Sequence, residues 1–342
     1  MSETHSKNST PLVSVLLPVY NCENYILESI NSILKQTYTN FELVIVNDGS
    51  TDNTGKIIKS FSDPRIVYVN NGDNKGLIYS LNYGISVCHG IYIVRMDADD
   101  ISLTNRIEKQ VRFMESNNNF IISGCYADFF GEGVKGYIRK LPTNTKSIRS
   151  YNLFSSAFIH PSVIIRANVL KNEFRYQEDY IGAEDFALWG DIIDKYDSSN
   201  INEVLLKYRV LDDSVTAVES SKVAKRFYIL NSIYKKNLLK LGDFSDDEVA
   251  LFTCLCNINF LKKCDKCGDI ICSNVLLLFN RIKFFVRANS NYDYELVVKL
   301  LSIRIVIYCI VTRKMLINKM MIVGIFEIFK KRLVKMILGH VS

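Results

Sequence analysis

Four short apolar runs rich in β-branched residues, at 13–17, 41–46, 66–69 and 91–96, each end in a polar loop, and helical periodicity follows every one. Pro18 stops the first run, and a helix over 23–36 turns Tyr25, Ile26, Ile30, Ile33 and Leu34 to one face. The second leads through Asn47-Asp48-Gly49-Ser50-Thr51-Asp52 into a helix to Phe61. The third leads through Asn74-Lys75-Gly76 into a helix from Leu77 to about Cys88. Strand and helix alternating in one direction predict a parallel sheet with right-handed crossovers, its strands covered on both faces.

The fourth run stops abruptly in Asp97-Ala98-Asp99-Asp100. Three carboxylates within four positions repel one another, so neighbouring cations or a bound divalent metal must offset them. Ligand crevices of open α/β sheets lie outside the carboxyl ends of strands, which is where these acids fall. Asp100 alone is explained by an N-cap of the helical pattern beginning near Leu103. Asp97 and Asp99 together are not, because a cap needs one oxygen. Asp48 ends the second strand and has two readings: a plain βα turn, helped by Gly49, or an acceptor for a nucleobase N–H.

The 342 residues are enough for one large or two smaller domains with a substantial core. Charge is uneven: 21 basic against 9 acidic residues from Ser221 onward, and 21 against 27 before it. The basic residues alternate with Leu, Ile, Val, Phe and Met, without aromatic platforms or finger spacing, which speaks against nucleic acid. The blend suits an anionic membrane surface, where each Lys or Arg contributes about 1 kcal/mol. Lys299 and Arg304 interrupt the apolar stretch 296–311, short of the roughly 20 apolar residues of a spanning helix. The first ten residues lack a signal peptide's charged start and apolar core, which predicts a catalytic part in the cytoplasm and mostly reduced cysteines. Cys264-Asp265-Lys266-Cys267, near Cys254, Cys256 and Cys272, is a single CxxC without a second pair at the usual spacing, a weak case for structural zinc.

Further along, His160-Pro161-Ser162 precedes a strand over 163–166. Glu184-Asp185 opens a helix to about Lys195 that carries the only Trp, Trp189, one turn later. Acids favour a first helical turn, which explains Glu184-Asp185 without any chemistry. Trp189 can pack beneath the acid or against a sugar ring. A strand over 204–210 follows. Long helical patterns then occupy 222–240, 246–263, 270–287 and 294–338, and around 315–338 most polar residues share one half of the helical wheel.

Pro18-Val19-Tyr20-Asn21, Asn47-Asp48-Gly49-Ser50-Thr51-Asp52, Asn74-Lys75-Gly76 with Asn82 and Gly84, Asp97-Ala98-Asp99-Asp100, and Glu184-Asp185-Phe186-Ala187-Leu188-Trp189 stand in the order seen in family 2 glycosyltransferases. The chain resembles that family over about 11–218, with 219–342 left as a helical, basic C-terminal region that could associate with membrane. The resemblance implies a GT-A fold, a nucleotide-binding αβα sandwich with a mainly parallel central sheet, and inverting transfer of a sugar from a nucleotide-sugar. It implies Asp48 as the uracil-recognising acid, with Pro18, Val19, Tyr20 and Lys75 in the nucleotide site. Asp97 faces ribose or the metal shell, and Asp99 binds Mn²⁺ or Mg²⁺. Asp185 is then the general base with Glu184 beside it. His160 near the acceptor, Trp189, and Arg106 and Arg209 as diphosphate contacts are weaker candidates; for Arg106 a surface ion pair with Asp99 or Asp100 is the plainer reading, and for Arg209 a solvated side chain.

These residue types suit the chemistry. A carboxylate removes the proton from a sugar hydroxyl as the bond forms, and a metal offsets the charge gathering on the leaving nucleoside diphosphate. The resulting expectation is a UDP-hexose, glucose or galactose, moved onto a lipid-linked saccharide such as GlcNAc-diphosphate-undecaprenol. The setting is O-antigen or capsule assembly, peripheral to the cytoplasmic side of an inner membrane. A nucleotidyltransferase would need a Gly-rich basic loop near the first strand, which Pro18-Val19-Tyr20-Asn21 does not supply. A non-catalytic nucleotide-binding scaffold would be expected to have lost acids that are all present.

Overall fold

The computed structural model describes residues 10–211, 222–257, 260 and 272–312. In chain order β1 (Val13–Val19), α1 (Ile26–Leu34), β2 (Phe41–Asn47), α2 (Thr54–Lys59), β3 (Ile66–Asn70), α3 (Leu77–Val87) and β4 (Tyr92–Arg95) realise the predicted alternation. β5 (Ile101–Ser102), α4 (Arg106–Ser116), β6 (Phe120–Phe130), β7 (Tyr137–Arg139), α5 (Thr145–Asn152), β8 (Ile164–Arg166), α6 (Ala167–Asn172), α7 (Glu184–Lys195) and β9 (Asp197–Arg209) follow. All nine strands form one sheet in the order β3-β2-β1-β4-β8-β6-β9-β5, with β7 paired to β6. The β3-β2-β1-β4 half is parallel, as the alternation predicts. Beyond β4 the sheet is mixed, because β8 enters antiparallel between β4 and β6 while β6 and β9 run parallel.

Period-two alternation sorts the strands into two cores. Val13, Val15, Leu17 and Val19 of β1 join Leu43 and Ile45 of β2 and Ile26, Ile30 and Ile33 of α1 on one face. Leu16, Val44 and Val46 face the other way, onto Ile78, Leu81 and Ile85 of α3. Each strand therefore reads as a continuous apolar run, since both of its faces are buried. Gly84 explains how closely α3 approaches: a Cβ there would lie 2.3 Å from Leu16 Cδ1.

Pro18 does not end β1, which continues to Val19 in register with Asn47. Pairing with β4 stops at Leu16↔Arg95, so the side of β1 on which Pro18 lacks an N–H no longer has a partner strand.

The chain divides into two compact units, one through Ile233 and one from Tyr234, inside α8 (Val223–Leu239). The second unit contains α9 (Asp246–Cys256), α10 (Cys272–Ala288) and α11 (Tyr294–Thr312). A capping box starts α9: Ser245 Oγ accepts from Glu248 N–H and the Glu248 carboxylate accepts from Ser245 N–H. Val249, Phe252, Val275, Leu278, Ile282, Val297, Leu301 and Tyr308 are buried within this unit. Among the described residues no helix is long and apolar enough to cross a membrane. The helix expected over 246–263 ends at Cys256; Cys264, Cys267 and the amphipathic stretch 315–338 lie outside the described residues.

Candidate active site

β1 lies between β2 and β4, so Asp48, Tyr20 and the acid turn 97–100 emerge side by side at one sheet edge. Two main-chain bonds hold this edge together: Asp48 N–H donates to Val19 O at 2.8 Å and Met96 N–H to Leu16 O at 3.0 Å. Pro18 and Val19 are buried in the sheet, whereas Tyr20 is 46% exposed. Of the three it is Tyr20 that offers a side-chain face to a ligand.

The Asp48 carboxylate organises the loop before α3. Its Oδ1 accepts from Asn71 Nδ2 at 2.7 Å and Lys75 N–H at 2.9 Å, and its Oδ2 accepts from Gly76 N–H at 2.8 Å. Gly49, at φ +69°, makes the preceding turn where a Cβ would strike the Asp73 backbone at 2.5 Å. Lys75 is exposed, its ammonium 4.8 Å from the Tyr79 ring centre.

The acid turn is held from three elements. Arg95, 4% exposed, ion-pairs with the Asp97 carboxylate. Ser29 Oγ on α1 donates to Asp97 O at 3.0 Å. From β9, Arg209 Nε donates to Asp99 O and Arg209 N–H to Asp100 Oδ1, both at 2.8 Å. Asp100 is not the cap of α4, a role taken by Asn105 after β5 intervenes; it is 1% exposed, and its Oδ2 has no hydrogen-bond partner. Burial, then Asp97, pushes the Asp99 carboxyl up to about 7, and burial with Asp97 and Asp99 raises Asp100 well above the usual range. One ligand oxygen from each of Asp97, Asp99 and Asp100 lies within 4.8 Å of the others. All-oxygen donors, shared repulsion and an orphaned buried oxygen together fit a hard divalent cation such as Mn²⁺ or Mg²⁺.

Glu184 and Asp185 occupy the first turn of α7. Asp185 accepts from Ser156 Oγ at 3.3 Å, and burial raises its carboxyl. Glu184 is 6% exposed, with Oε2 buried and unpartnered, and burial followed by Asp185 brings it to about 7. The Arg95 charge favours ionisation of Asp99 and Asp100 on one side and of Glu184 and Asp185 on the other. One buried guanidinium thus serves both acid groups.

The weaker candidates are all engaged with protein neighbours. His160 Nε2 meets the Tyr176 hydroxyl at 2.8 Å, and its pKa is pushed well below the usual value by burial and by Arg95, so the ring stays neutral. Trp189 is 0% exposed and packs edge-on against Phe158, His160 and Tyr176, which excludes stacking on a sugar. Arg209 is not a solvated side chain; it is bonded into the acid turn and to Glu28 Oε2 at 2.6 Å. Arg106 makes no surface ion pair: it is 0% exposed and donates to Arg95 O at 2.8 Å and Pro161 O at 2.7 Å. Arg106→Met leaves both buried carbonyls without that donor, so urea unfolding should show a loss of about 2–5 kcal/mol.

Arg95, Ser156, Tyr176 and Asn71 are neighbours of the candidate residues that reading the sequence missed. Arg95 left a trace, as the one charge within an apolar run; the others depend on segments far apart in the chain.

A model of glycosyl transferase family 2 matches residues 14–174. An uncharacterized glycosyltransferase of Haemophilus influenzae is 37% identical over 247 residues, 68% of this chain and 76% of that protein. The UDP-Glc:α-D-GlcNAc-diphosphoundecaprenol β-1,3-glucosyltransferase WfaP of Escherichia coli is 33% identical over 228 residues, 65% of this chain and 86% of WfaP. Among solved structures, the mannosyltransferase PcManGT of Pyrobaculum calidifontis, in complex with GDP-Man and Mn²⁺, is similar with a TM-score of 0.52 at 17% identity, over 90% of this chain and 84% of that one. Sheet order, acid placement and relatedness agree: the chain is a transferase of glycosyltransferase family 2, built on the GT-A fold.

Proposed function

We propose that the protein is an inverting hexosyltransferase that moves glucose or galactose from its UDP-sugar onto a lipid-linked saccharide such as GlcNAc-diphosphoundecaprenol, in O-antigen or capsule assembly. The observation that carries this reading is the pairing of two acid groups around Arg95: an oxygen-rich turn suited to a divalent cation, and Asp185 on α7 suited to general-base work. WfaP supports the choice of donor and acceptor, and the Mn²⁺ in PcManGT supports the metal.

In this reading Asp48 and Tyr20 receive the base and ribose, beside Pro18, Val19 and Lys75. Asp97, Asp99 and Asp100 would hold Mn²⁺ or Mg²⁺, which when bound offsets charge on the leaving diphosphate. Asp185, oriented by Ser156, takes the proton from the acceptor hydroxyl on the face opposite the leaving group, with Glu184 beside it. Holding donor and acceptor in line supplies much of the remaining rate.

The test is transfer from a panel of labelled nucleotide-sugars, with Mn²⁺ or EDTA, to a synthetic GlcNAc-diphosphate-lipid. A β-linked product from one UDP-α-hexose, lost with EDTA, is expected. A product that retains the α configuration would overturn the base assignment.

Peripheral attachment to the cytoplasmic side of an inner membrane is part of the proposal. Residues 313–342 carry seven Lys and Arg against one Glu among many apolar residues. Removing them while keeping α11, whose Val297, Leu301 and Tyr308 are buried, should release the protein from anionic vesicles in a flotation assay. Unchanged flotation of the folded truncation would reject that role.

A further inference from the structure

The acid turn and the end of β9 are 110 residues apart in the chain, yet Arg209 joins them twice. Its guanidinium is itself immobilised. Nε donates to Asp99 O and Nη2 to Glu28 Oε2, and the plane lies 4.6 Å from the ring centres of both Tyr25 and Phe130. The side chain is 15% exposed, so it lies largely beneath the surface of the site. Its backbone N–H meanwhile holds Asp100 Oδ1 and leaves Oδ2 unpartnered.

We propose that Arg209 is a positioning residue for the metal-binding turn, a clamp that fixes the Asp99 carbonyl so that the Asp99 carboxylate and Asp100 Oδ2 stand ready for a divalent cation. The inference rests on the metal reading given under Proposed function. Once the three acids ionise to receive a cation, like charges within 4.8 Å favour an open turn, which cation binding must close when the clamp is missing. Ser29 restrains the Asp97 carbonyl and Arg95 the Asp97 carboxylate, but Asp99 O depends on Arg209. The backbone N–H of residue 209 survives any substitution, so variants separate the guanidinium from the strand that carries it.

The experiment titrates the full chain with Mn²⁺ alone, following the free ion by electron paramagnetic resonance, and titrates UDP in EDTA by calorimetry. Loss of a partner just outside the metal ligands weakens metal binding by about 10–100-fold, so Arg209→Gln should bind Mn²⁺ at least about 10-fold less tightly. Arg209→Lys, which keeps one donor, should fall between it and wild type, and UDP binding in EDTA should not change in either variant. A diphosphate contact would give the reverse pattern, weaker UDP in EDTA with unaltered Mn²⁺ uptake, and would overturn the clamp. So would Mn²⁺ affinity within about twofold of wild type in a variant that still binds UDP; if Arg209→Gln does not fold, Arg209→Lys carries the test. Wild-type protein that takes up no Mn²⁺ would overturn the metal reading and the clamp together, whereas normal wild-type uptake with an unaffected variant overturns the clamp alone.

Discussion

An Asp185→Asn protein should bind UDP as wild type does and transfer sugar about 10²–10⁴-fold more slowly, the range that general-base catalysis contributes. The substitution keeps the size of the side chain and a carbonyl oxygen to accept from Ser156 Oγ, so α7 has no reason to move. What it removes is the capacity to take a proton. The pH profile gives an independent readout. Burial raises the Asp185 carboxyl, and Glu184 beside it titrates at about 7. A base must be ionised to act, and a raised pKa keeps it protonated to higher pH. Wild-type kcat should therefore climb with pH through a limb above the ordinary carboxylate range. In Asp185→Asn the residual rate should lose that limb. Full activity in the variant would move the base elsewhere, with Glu184 as the first alternative, whereas a wild-type profile without that limb would reject both buried acids as the base.

Asp99→Ala should lower kcat by about 10³-fold, the equivalent of several kcal/mol of Lewis-acid stabilisation. The clearest sign is not the size of the loss but its insensitivity to metal: adding Mn²⁺ should rescue nothing, and EDTA should cost nothing further. The variant also relieves repulsion from Asp97 and Asp100, so the metal-free protein should unfold at a temperature no lower than wild type. A variant that loses activity because it is misfolded would melt lower, and calorimetry distinguishes the two. Retained Mn²⁺ activation in Asp99→Ala would shift the metal to Asp97 and Asp100.

These expectations divide along what can be read locally in the chain. Runs of Val, Ile and Leu without polar alternation already specify strands buried on both faces, and β1 to β4 appear in the predicted order. Asp48, Asp97 and Asp99 stand out in the sequence because each follows such a run at the carboxyl edge of the sheet. The surface reading of Arg106 and the sugar-facing alternative for Trp189 fail for one reason: exposure depends on what packs above a side chain, and helical periodicity places a residue on a face without saying how deeply that face is covered. Asp100 was misjudged because a two-residue strand, β5, forms only by pairing with β9, about a hundred residues further on.

The sequence alone determined the alternation of elements, the two-sided burial of the strands, and the chemical kind of residue at each strand end, because these follow from local periodicity and from the repulsion among neighbouring acids. Tertiary structure decided how those acids are held. The Arg95 charge acts on both carboxylate groups, Arg209 reaches the Asp99 carbonyl from β9, and Ser156 meets Asp185 from a different segment. The last two pairings bring together residues 110 and 29 positions apart, and only the tertiary fold makes them neighbours.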